Sequence, residues 1–451
     1  MNPDLAAPSP LIATAASPPA ARRRHPLLWV PSLYFAMGTP MITVSVVAAI
    51  MYKNMGVSNS AIAFHTGLMS LPWTLKPFWS PLLEMFRSKK FFVVTMEMIM
   101  MVSLGCVALA LPLPSFMPLT LAAFWITGFA SATQDIAADG VYITSTTPKE
   151  QAAYVGVQGI FWNAGAIISS GLLVSLTGYL HGTRQLSWVQ SWMIVMGIIS
   201  AIMLLASLWH SRMLPTGSRS ADAPPSVAAA ARTFIDAFAS FFAKKDIWIM
   251  IAVIFFYRFG EGLIEKIGPL FLLDQRSVGG LGLDNVALGA INGTYGTLGF
   301  IVGALLGGLF AAKLTLRRSF VVLALALNVP HVTYFFLSHA LPHSTLLISA
   351  VVTLEKFGFG FGSVGHMLYM MQQVSPGPYQ TAHYAFATGI MGLCRTVTGM
   401  ISGVLQESVG YKTFFTLVLF ASIPPVVLAF LAPFNQNDPS PEQRRASAAG
   451  H

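Results

Sequence analysis

The chain has 451 residues, of which 55% are hydrophobic and only 10% charged, a composition that excludes an ordinary soluble globular protein and indicates an integral membrane protein. The formal net charge of +9 could suit nucleic acid, but Lys and Arg lie mostly in short loops between apolar runs, so no nucleic-acid partner is expected. Cys106 and Cys394 each lie in an apolar run, and neither a disulfide framework nor a metal site is predicted.

The N-terminal segment, residues 1–24, is predicted to be a disordered tail. Its first part is rich in Ala, Pro and Ser, and three consecutive arginines, residues 22–24, close it. The apolar run that follows lacks the short hydrophobic core and small-residue cleavage site of a signal peptide. We therefore expect a retained first helix.

Twelve apolar runs of membrane-crossing length follow, which predicts an all-α integral membrane protein with twelve transmembrane helices. The predicted spans lie near residues 27–52, 60–83, 91–112, 117–142, 152–179, 190–210, 247–273, 287–312, 319–340, 345–373, 380–405 and 412–434. They divide into two six-helix bundles, 25–211 and 246–434, with a linker at 212–245 and a C-terminal tail at 435–451. Within the linker, five apolar residues share one helix side and predict an amphipathic helix at the cytoplasmic interface: Phe234, Ile235, Phe238, Phe241 and Phe242.

Positive charges are distributed unequally between the two sides of these spans. With both termini inside, seventeen Lys and Arg residues lie on the cytoplasmic side and four on the other, namely Lys53, Arg184, Arg276 and Lys412. Because positively charged loops stay in the cytoplasm, this bias predicts cytoplasmic termini.

The two halves carry a weak internal repeat. Residues 80–90 (SPLLEMFRSKK) end the second span and residues 308–318 (GLFAAKLTLRR) end the eighth, and the same register aligns Pro148 with Pro376. Two six-helix repeats with a substrate site between them are the layout of a secondary transporter. No nucleotide-binding loop motif is present, so ATP-driven transport is not expected.

Charged residues inside the spans provide the candidate sites. Each would cost about 2.5–3.5 kcal/mol if it faced lipid, so we expect them to face a shared aqueous cavity between the bundles. The seventh span holds Arg258, Glu261, Glu265 and Lys266, and helical spacing places the first three on one face. An alternative interpretation of Arg258 with Glu261 is a structural pair within one helix.

Three functional groups are predicted from these positions. The proton-binding candidates are Asp135, Glu261, Glu265 and Glu355. The substrate-binding candidates are Tyr34, Lys76, Arg258, Lys266 and Arg395, with Arg395 as the lone cation for an anionic group. The candidates for a conformational latch at the cytoplasmic face are Glu84, Arg87 and Asp139.

Several polar residues have competing interpretations. Asp135 and Asp139 share a helix face, where structural bonds to loops or helix ends compete with proton coupling. Lys356 is expected to point away from Glu355, and Glu97 is expected at the membrane interface. Four histidines lack metal-ligand spacing, and buried hydrogen-bonded roles are favoured for them: His65, His331, His366 and His383.

Several short strings resemble signature stretches of the AmpG family of muropeptide permeases, within the major facilitator superfamily. They are residues 131–136 (SATQDI) with Asp139, 75–84 (LKPFWSPLLE), 257–261 (YRFGE), 302–309 (VGALLGGL) and 379–386 (YQTAHYAF). The resemblance covers most of the chain outside the N-terminal tail and the linker. It implies a proton-driven importer of anhydro-muropeptides in the bacterial inner membrane, with functional roles for Asp135, Arg258 and Glu261.

Two stretches depart from the family pattern. Residues 141–144 (VYIT) and 161–165 (FWNAG) stand where basic residues are expected. Because cavity charge selects the solute, siderophore and oligosaccharide import stay open as alternatives. The expected partners are a small solute, protons and the lipid bilayer, with no cofactor, and the expected state is a monomer.

Two further classes of function compete with transport. A membrane sensor that binds wall fragments without transporting them would be expected to carry a sizeable soluble domain, and no such stretch is present. An enzyme is not expected, because no nucleophile or metal-ligand arrangement is visible.

Overall fold

The computed structural model describes residues 24–80, 83, 88–217 and 226–435, and their regular structure is entirely helical. We number the spanning helices in chain order and call Val227–Phe242, between α6 and α7, the linker helix. The helices are α1 (Pro26–Asn54), α2 (Asn59–Leu68 and Leu71–Leu75), α3 (Lys89–Ala110), α4 (Phe116–Ser145), α5 (Pro148–Ala166, then Ile167–Leu173 and Val174–Gly182), α6 (Trp188–Met213), α7 (Ile247–Phe256 and Phe259–Leu273), α8 (Asn285–Leu314), α9 (Leu316–Ala340), α10 (Thr345–Val374), α11 (380–409) and α12 (411–431).

The helix count agrees with twelve predicted crossings. Within the described residues, ten helical segments are long and apolar enough to cross a membrane. The last of them, Gln380–Leu431, contains Gly410 at φ +74°, a conformation that favours glycine and that separates α11 from α12. The predicted second span coincides with the short segments of α2.

Short polar residues set the start of several helices. Ser88 and Ser344 accept hydrogen bonds from backbone N–H groups in the first turn of α3 and α10. Thr147 with Glu150 forms a capping box at the start of α5. These caps satisfy donors that a helix leaves free at its N-terminus.

The spanning helices α2 and α7 are interrupted, and one continuous helix was expected in each place. In α2, the first segment ends at Leu68, and the second, with Pro72 near its start, begins at Leu71. In α7, Tyr257 and Arg258 separate two segments, and Arg258 has the non-helical angles φ −116° and ψ 22°. Broken helices of this kind build midplane binding sites in transporter folds.

Large apolar side chains cover the outside of the bundle. Examples on four different helices are Leu109, Leu205, Leu305 and Phe430, each more than three-fifths exposed. An exposed apolar surface of this extent would aggregate in water and suits contact with acyl chains.

We call the face where α1 begins and α12 ends the terminal face, and the opposite face the distal face. Near the distal face, α1–α6 and α7–α12 touch through small residues. A Cβ added to Gly293 of α8 would lie 2.2 Å from the Ser170 carbonyl oxygen of α5, and one added to Gly403 of α11 would lie 2.4 Å from the Asn59 carbonyl oxygen of α2. Glycine therefore permits the close contact of the two halves here.

Polar bonds join the same halves at the distal face. Lys53 Nζ lies 2.6 Å from Asp274 Oδ1. Asn54 and Asn285 bond each other through their amides, with the Asn285 Nδ2 to Asn54 Oδ1 distance 2.6 Å. We call these four residues the distal gate; it is closed in this structure.

The linker helix lies across the terminal ends of both halves. Phe234 packs on Phe78, which follows α2, at 5.3 Å between ring centroids, and on Phe386 of α11 at 5.4 Å. Phe241 is fully buried, whereas Ile235 is 63% exposed. The predicted amphipathic helix is present, and it packs against protein through Phe241 and Phe234.

Lys244 follows the linker helix and hydrogen-bonds to the end of α10 and to the loop between α10 and α11. Its amine donates to the Val374 carbonyl and, at 2.8 Å, to the Pro376 carbonyl. Partial burial lowers the pKa of Lys244 to about 8.

Candidate functional site

Four side chains from α7, α9 and α10 form what we call the carboxylate cluster: Glu261, His331, Glu355 and Lys356. Lys356 Nζ lies 3.1 Å from Glu355 Oε2 and 3.4 Å from Glu261 Oε1. His331 Nε2 lies 3.7 Å from Glu261 Oε2. Both carboxylates and the imidazole are at most 1% exposed. These acids face the protein interior and not lipid, as the charge pattern predicted.

Interrupted helices and glycine place this cluster. Pro330 lies in the 3-10 turn Val329–His331 that interrupts α9 and presents His331 to α7. A Cβ on Gly260 would lie 2.9 Å from the imidazole ring, so glycine permits this approach. On its other side, the His331 Nδ1 atom lies 2.7 Å from the hydroxyl of Ser422 in α12.

Three atoms of the cluster have the spacing of metal ligands. One ligand atom each from Glu261, His331 and Glu355 lie within 4.8 Å of one another. The ammonium of Lys356, however, already supplies positive charge between the two carboxylates. This charge opposes the binding of a divalent cation, and the donor set fits a proton better.

Arg258 is half-buried and has an unusual environment for a cation. Its guanidinium lies 4.6 Å from the centre of the Phe359 ring, and Nη1 lies 3.9 Å from the Met391 sulfur. Nε has no hydrogen-bond partner. Within the described part of the chain, no carboxylate oxygen lies within 4.0 Å of Arg258, so the alternative pair with Glu261 is not formed.

Glu265 and Arg395 form an ion pair between α7 and α11. Arg395 Nε lies 2.7 Å from Oε1 and 2.8 Å from Oε2 of Glu265, and Nη2 also donates to Oε1. The prediction that Arg395 is a lone cation is therefore wrong. Its partner comes from another helix, which spacing along one helix cannot reveal.

Lys266 connects the two halves. Its amine donates to the carbonyl of Ser45 in α1 at 2.9 Å and to that of Thr66 in α2 at 3.2 Å, and the residue is 3% exposed. The break in α2 leaves the Thr66 carbonyl accessible, because the Ser70 N–H donates to Gly67 instead. The predicted substrate ligand is thus buried in a contact between the halves.

A second polar cluster lies in the N-terminal half, between α1, α2 and α4. Lys76 is ion-paired with Asp135, and Tyr34 donates to Asp139 Oδ1 at 2.8 Å. The Lys76 side chain is 36% exposed. The structure therefore brings four predicted site residues together in one cluster: two predicted to bind substrate (Tyr34 and Lys76), one predicted to bind a proton (Asp135) and one predicted to form the latch (Asp139). Glu84 and Arg87, the other predicted latch residues, lie outside the described residues.

A buried Glu–His pair lies apart from both clusters. His210 Nδ1 of α6 is 2.8 Å from Glu97 Oε1 of α3, and both side chains are fully buried. Gln134 of α4 donates to the same carboxylate oxygen at 3.1 Å, and His210 Nε2 lies 3.0 Å from the Ser32 hydroxyl of α1. The expectation that Glu97 lies at the membrane interface is wrong.

The sequence-based interpretation predicted a buried hydrogen-bonded role for His331, as observed, but did not place His331 or Lys356 beside Glu261, nor Ser422 beside His331. Lys356 was expected to point away, although its flexible side chain reaches both carboxylates. A usable signal was the proline beside each interruption, Pro330 before His331 and Pro424 after Ser422, because proline breaks expose polar groups at membrane depth.

Comparison with known proteins establishes the family. The family model described as Major Facilitator Superfamily matches residues 32–403. The chain belongs to the Major Facilitator Superfamily. It is thus a multi-pass membrane transporter and not an enzyme, and the predicted fold class is confirmed.

Curated relatives match over most of the chain. The anhydromuropeptide permease of Escherichia coli (strain K12) is 22% identical over 401 residues, which cover 88% of this chain and 77% of that protein. The putative transporter AmpG 4 of Rickettsia conorii is 22% identical over 410 residues, which cover 87% and 92%. The AmpG resemblance of the transporter is confirmed.

Solved structures share the fold. A structure of the nucleoside transporter NupG matches with a TM-score of 0.67 at 16% identity, covering 90% of this chain and 97% of that one. A D-xylose-proton symporter matches with a TM-score of 0.68 at 12% identity, covering 90% and 97%.

Proposed function

We propose that this transporter imports anhydro-muropeptides, or closely similar anionic glycan–peptide solutes, together with protons. The observation that carries this proposal is a half-buried guanidinium, Arg258, without a carboxylate partner, next to a carboxylate cluster that lacks one positive charge. Similarity to the anhydromuropeptide permease supports the solute class. The terminal face would lie in the cytoplasm of a bacterial inner membrane, as the positive charges predict.

Arg258 is the proposed anchor for a carboxylate of the solute. A half-buried guanidinium whose Nε donor is buried and unused gains charge-assisted hydrogen bonds when an anionic group arrives. The charges in the interior of the C-terminal spans favour an anion, because four cations outnumber the three carboxylates of Glu261, Glu265 and Glu355. The cations are Arg258, Lys266, Lys356 and Arg395. Phe359 beside Arg258 offers an apolar surface for a sugar or peptide.

Glu261 and Glu355 are the proposed proton acceptors of the C-terminal half. Both share one ammonium, that of Lys356, and with a neutral imidazole the cluster carries one net negative charge. Buried charge of one sign is unfavourable, so one added proton neutralises the cluster. Asp135 and Glu265 already hold cationic partners, which makes them weaker candidates.

Alternating access would open the distal gate while the terminal ends close. Lys266 must then leave the carbonyls of Ser45 and Thr66, because these belong to the other half. Tyr34, Lys76 and Asp139 lie on that half and would complete the solute site. Both halves would thus move about a site near the midplane.

Uptake into proteoliposomes tests this proposal. With a radiolabelled anhydro-disaccharide tripeptide, we expect accumulation above equilibrium only when the interior is more alkaline than the medium. Uptake that does not depend on an imposed pH gradient would contradict proton coupling. Transport of a ferric siderophore or an oligosaccharide in place of the muropeptide would replace the solute class, and binding without accumulation would favour a sensor.

A further inference from the structure

We propose that His331 holds the coupling proton together with Glu261, and that Ser422 fixes the imidazole in the state that accepts it. This inference rests on the proposed proton coupling. It assigns to an imidazole a role that the sequence pattern assigned only to carboxylates.

The hydrogen bonds of Ser422 determine which imidazole nitrogen carries hydrogen. The Ser422 hydroxyl donates its single hydrogen to the Val418 carbonyl at 2.9 Å. It can therefore only accept from His331, whose Nδ1 lies 2.7 Å away. Nδ1 must carry hydrogen, and in a neutral imidazole Nε2 then carries a lone pair.

That lone pair faces a carboxylate. His331 Nε2 lies 3.7 Å from Glu261 Oε2, and neither atom has a hydrogen-bond partner. Two acceptors opposite each other repel, and both are buried where water cannot satisfy them. A proton between them satisfies both atoms, and a hydrogen bond would draw them to about 2.7–3.0 Å.

The other charged groups around His331 do not fill this position. From α10, Lys356 faces Glu261 Oε1 and Glu355 Oε2, but no bond joins its amine to the imidazole. The Glu355 carboxylate, with an oxygen within 4.8 Å of an imidazole nitrogen, is a further acceptor when ionised and supplies no hydrogen to Nε2. From α9 itself, Tyr334 has a buried hydroxyl with no hydrogen-bond partner. Ser422 of α12 already uses its hydrogen. Among the described residues, a bound proton is therefore the group that completes the pair.

Backbone geometry supports a positioned imidazole. Gly260 packs against the ring, and an added Cβ would lie 2.9 Å from it and 3.0 Å from Ser422 Oγ. Glu261 follows directly in the first turn of its helix segment. Movement of His331 toward Glu261 would therefore act directly on α7, which carries Arg258 at the start of the same segment.

The test compares His331→Gln with His366→Gln in proteoliposomes, using the radiolabelled anhydro-disaccharide tripeptide. Glutamine retains hydrogen-bonding atoms but does not take up a proton. His366 is a matched control: it is also buried, its ring stacks on Tyr257 with centroids 4.7 Å apart, and it bonds no carboxylate in the described chain. When one proton crosses with each solute molecule, a pH difference of one unit sustains about a tenfold higher solute concentration inside than outside.

We expect His331→Gln to lose this accumulation and to retain solute exchange at equal pH on both sides within about twofold of wild type, because exchange needs no net proton transfer. His366→Gln should accumulate like wild type. If wild type accumulates solute in response to the gradient and His331→Gln does so equally well, the proposed role of His331 is overturned, whereas the proposed proton coupling is not. A wild-type protein that ignores the gradient overturns the proposed coupling and this inference with it.

Ser422→Ala gives a second measurement if His331→Gln does not fold. Loss of the acceptor at Nδ1 frees the imidazole to place its hydrogen on Nε2, facing Glu261. We expect the pH profile of uptake to shift while maximal exchange is kept. An unchanged pH profile contradicts the proposal.

Discussion

Two buried Glu–His pairs in this transporter have the same parts and differ in their geometry. In both, a serine that donates to a backbone carbonyl holds one imidazole nitrogen, while the other nitrogen faces a glutamate. Glu97 and His210 are 2.8 Å apart and hydrogen-bonded, whereas Glu261 and His331 are 3.7 Å apart. The first pair already shares a proton, and the second has room to gain one.

The surroundings of the two pairs explain this difference. Glu97 also accepts from Gln134, and the pair lies among four helices of one half, α1, α3, α4 and α6. Glu261 shares the ammonium of Lys356 with Glu355 and lies on the interrupted helix that also carries Arg258. A satisfied pair stabilises a rigid bundle, whereas an incomplete pair can respond to a proton.

Breaking the satisfied pair should have the largest effect on stability. Glu97→Ala leaves His210 and Gln134 without their buried acceptor, and removal of one member of a buried pair typically destabilises by about 3–5 kcal/mol. Thermal unfolding in detergent should show a large fall in Tm. Glu261→Ala, the matched change in the incomplete pair, removes no hydrogen bond from His331 and leaves Lys356 paired with Glu355, so its Tm should fall less. Equal losses in both variants would contradict the comparison.

Removal of the Arg258 guanidinium should affect solute binding next most strongly. Loss of a hydrogen bond to a charged group is worth about 1.5–3 kcal/mol, roughly a 10- to 150-fold rise in Kd. Calorimetric titration of Arg258→Ala with the anhydro-disaccharide tripeptide checks this. Arg184→Ala, at a loop whose guanidinium lies 5.8 Å from the Tyr179 ring centre, serves as the control. Unchanged affinity in Arg258→Ala would exclude the proposed anchor.

Lys266 should favour the closed distal gate. Lys266→Met removes the bonds to Ser45 and Thr66. The free energy of the open gate relative to the closed gate should therefore fall by about 1.5–3 kcal/mol, and the gate should open more often. Cross-linking of cysteines placed at Asn54 and Asn285 reports closure, and its rate should fall. If the cross-linking rate is the same with methionine and with lysine at position 266, Lys266 does not hold the gate closed.

The smallest expected effect is a pH dependence at Lys244. Its folded pKa, about 8, lies below the unfolded value, so the unfolded chain keeps the proton longer as pH rises. The contribution of Lys244 to stability therefore increases between about pH 8 and pH 10. The Tm of wild type relative to Lys244→Arg should rise across this window, because arginine stays charged. A Tm difference between the two proteins that does not change with pH would contradict the lowered pKa of Lys244.

Hydrophobic run length predicted the helices well, because each span must satisfy its own backbone in the bilayer. The same rule could not predict the interruptions at Tyr257–Arg258 and Met69–Ser70, where contacts with other helices stabilise the break. Position along α7 identified Glu261 and Glu265 as acids that face the protein interior. Their partners, Lys356 and Arg395, come from α10 and α11, and one sequence does not reveal which helices meet.

The central claim is that the pair of His331 and Glu261 takes up a proton when solute binds. Purified protein in weakly buffered detergent solution can be mixed with the anhydro-disaccharide tripeptide while a pH indicator reports proton uptake. We expect about one proton per bound solute in wild type and in His366→Gln, and far less in His331→Gln. Equal proton uptake in His331→Gln and wild type, at equal solute binding, would contradict the account.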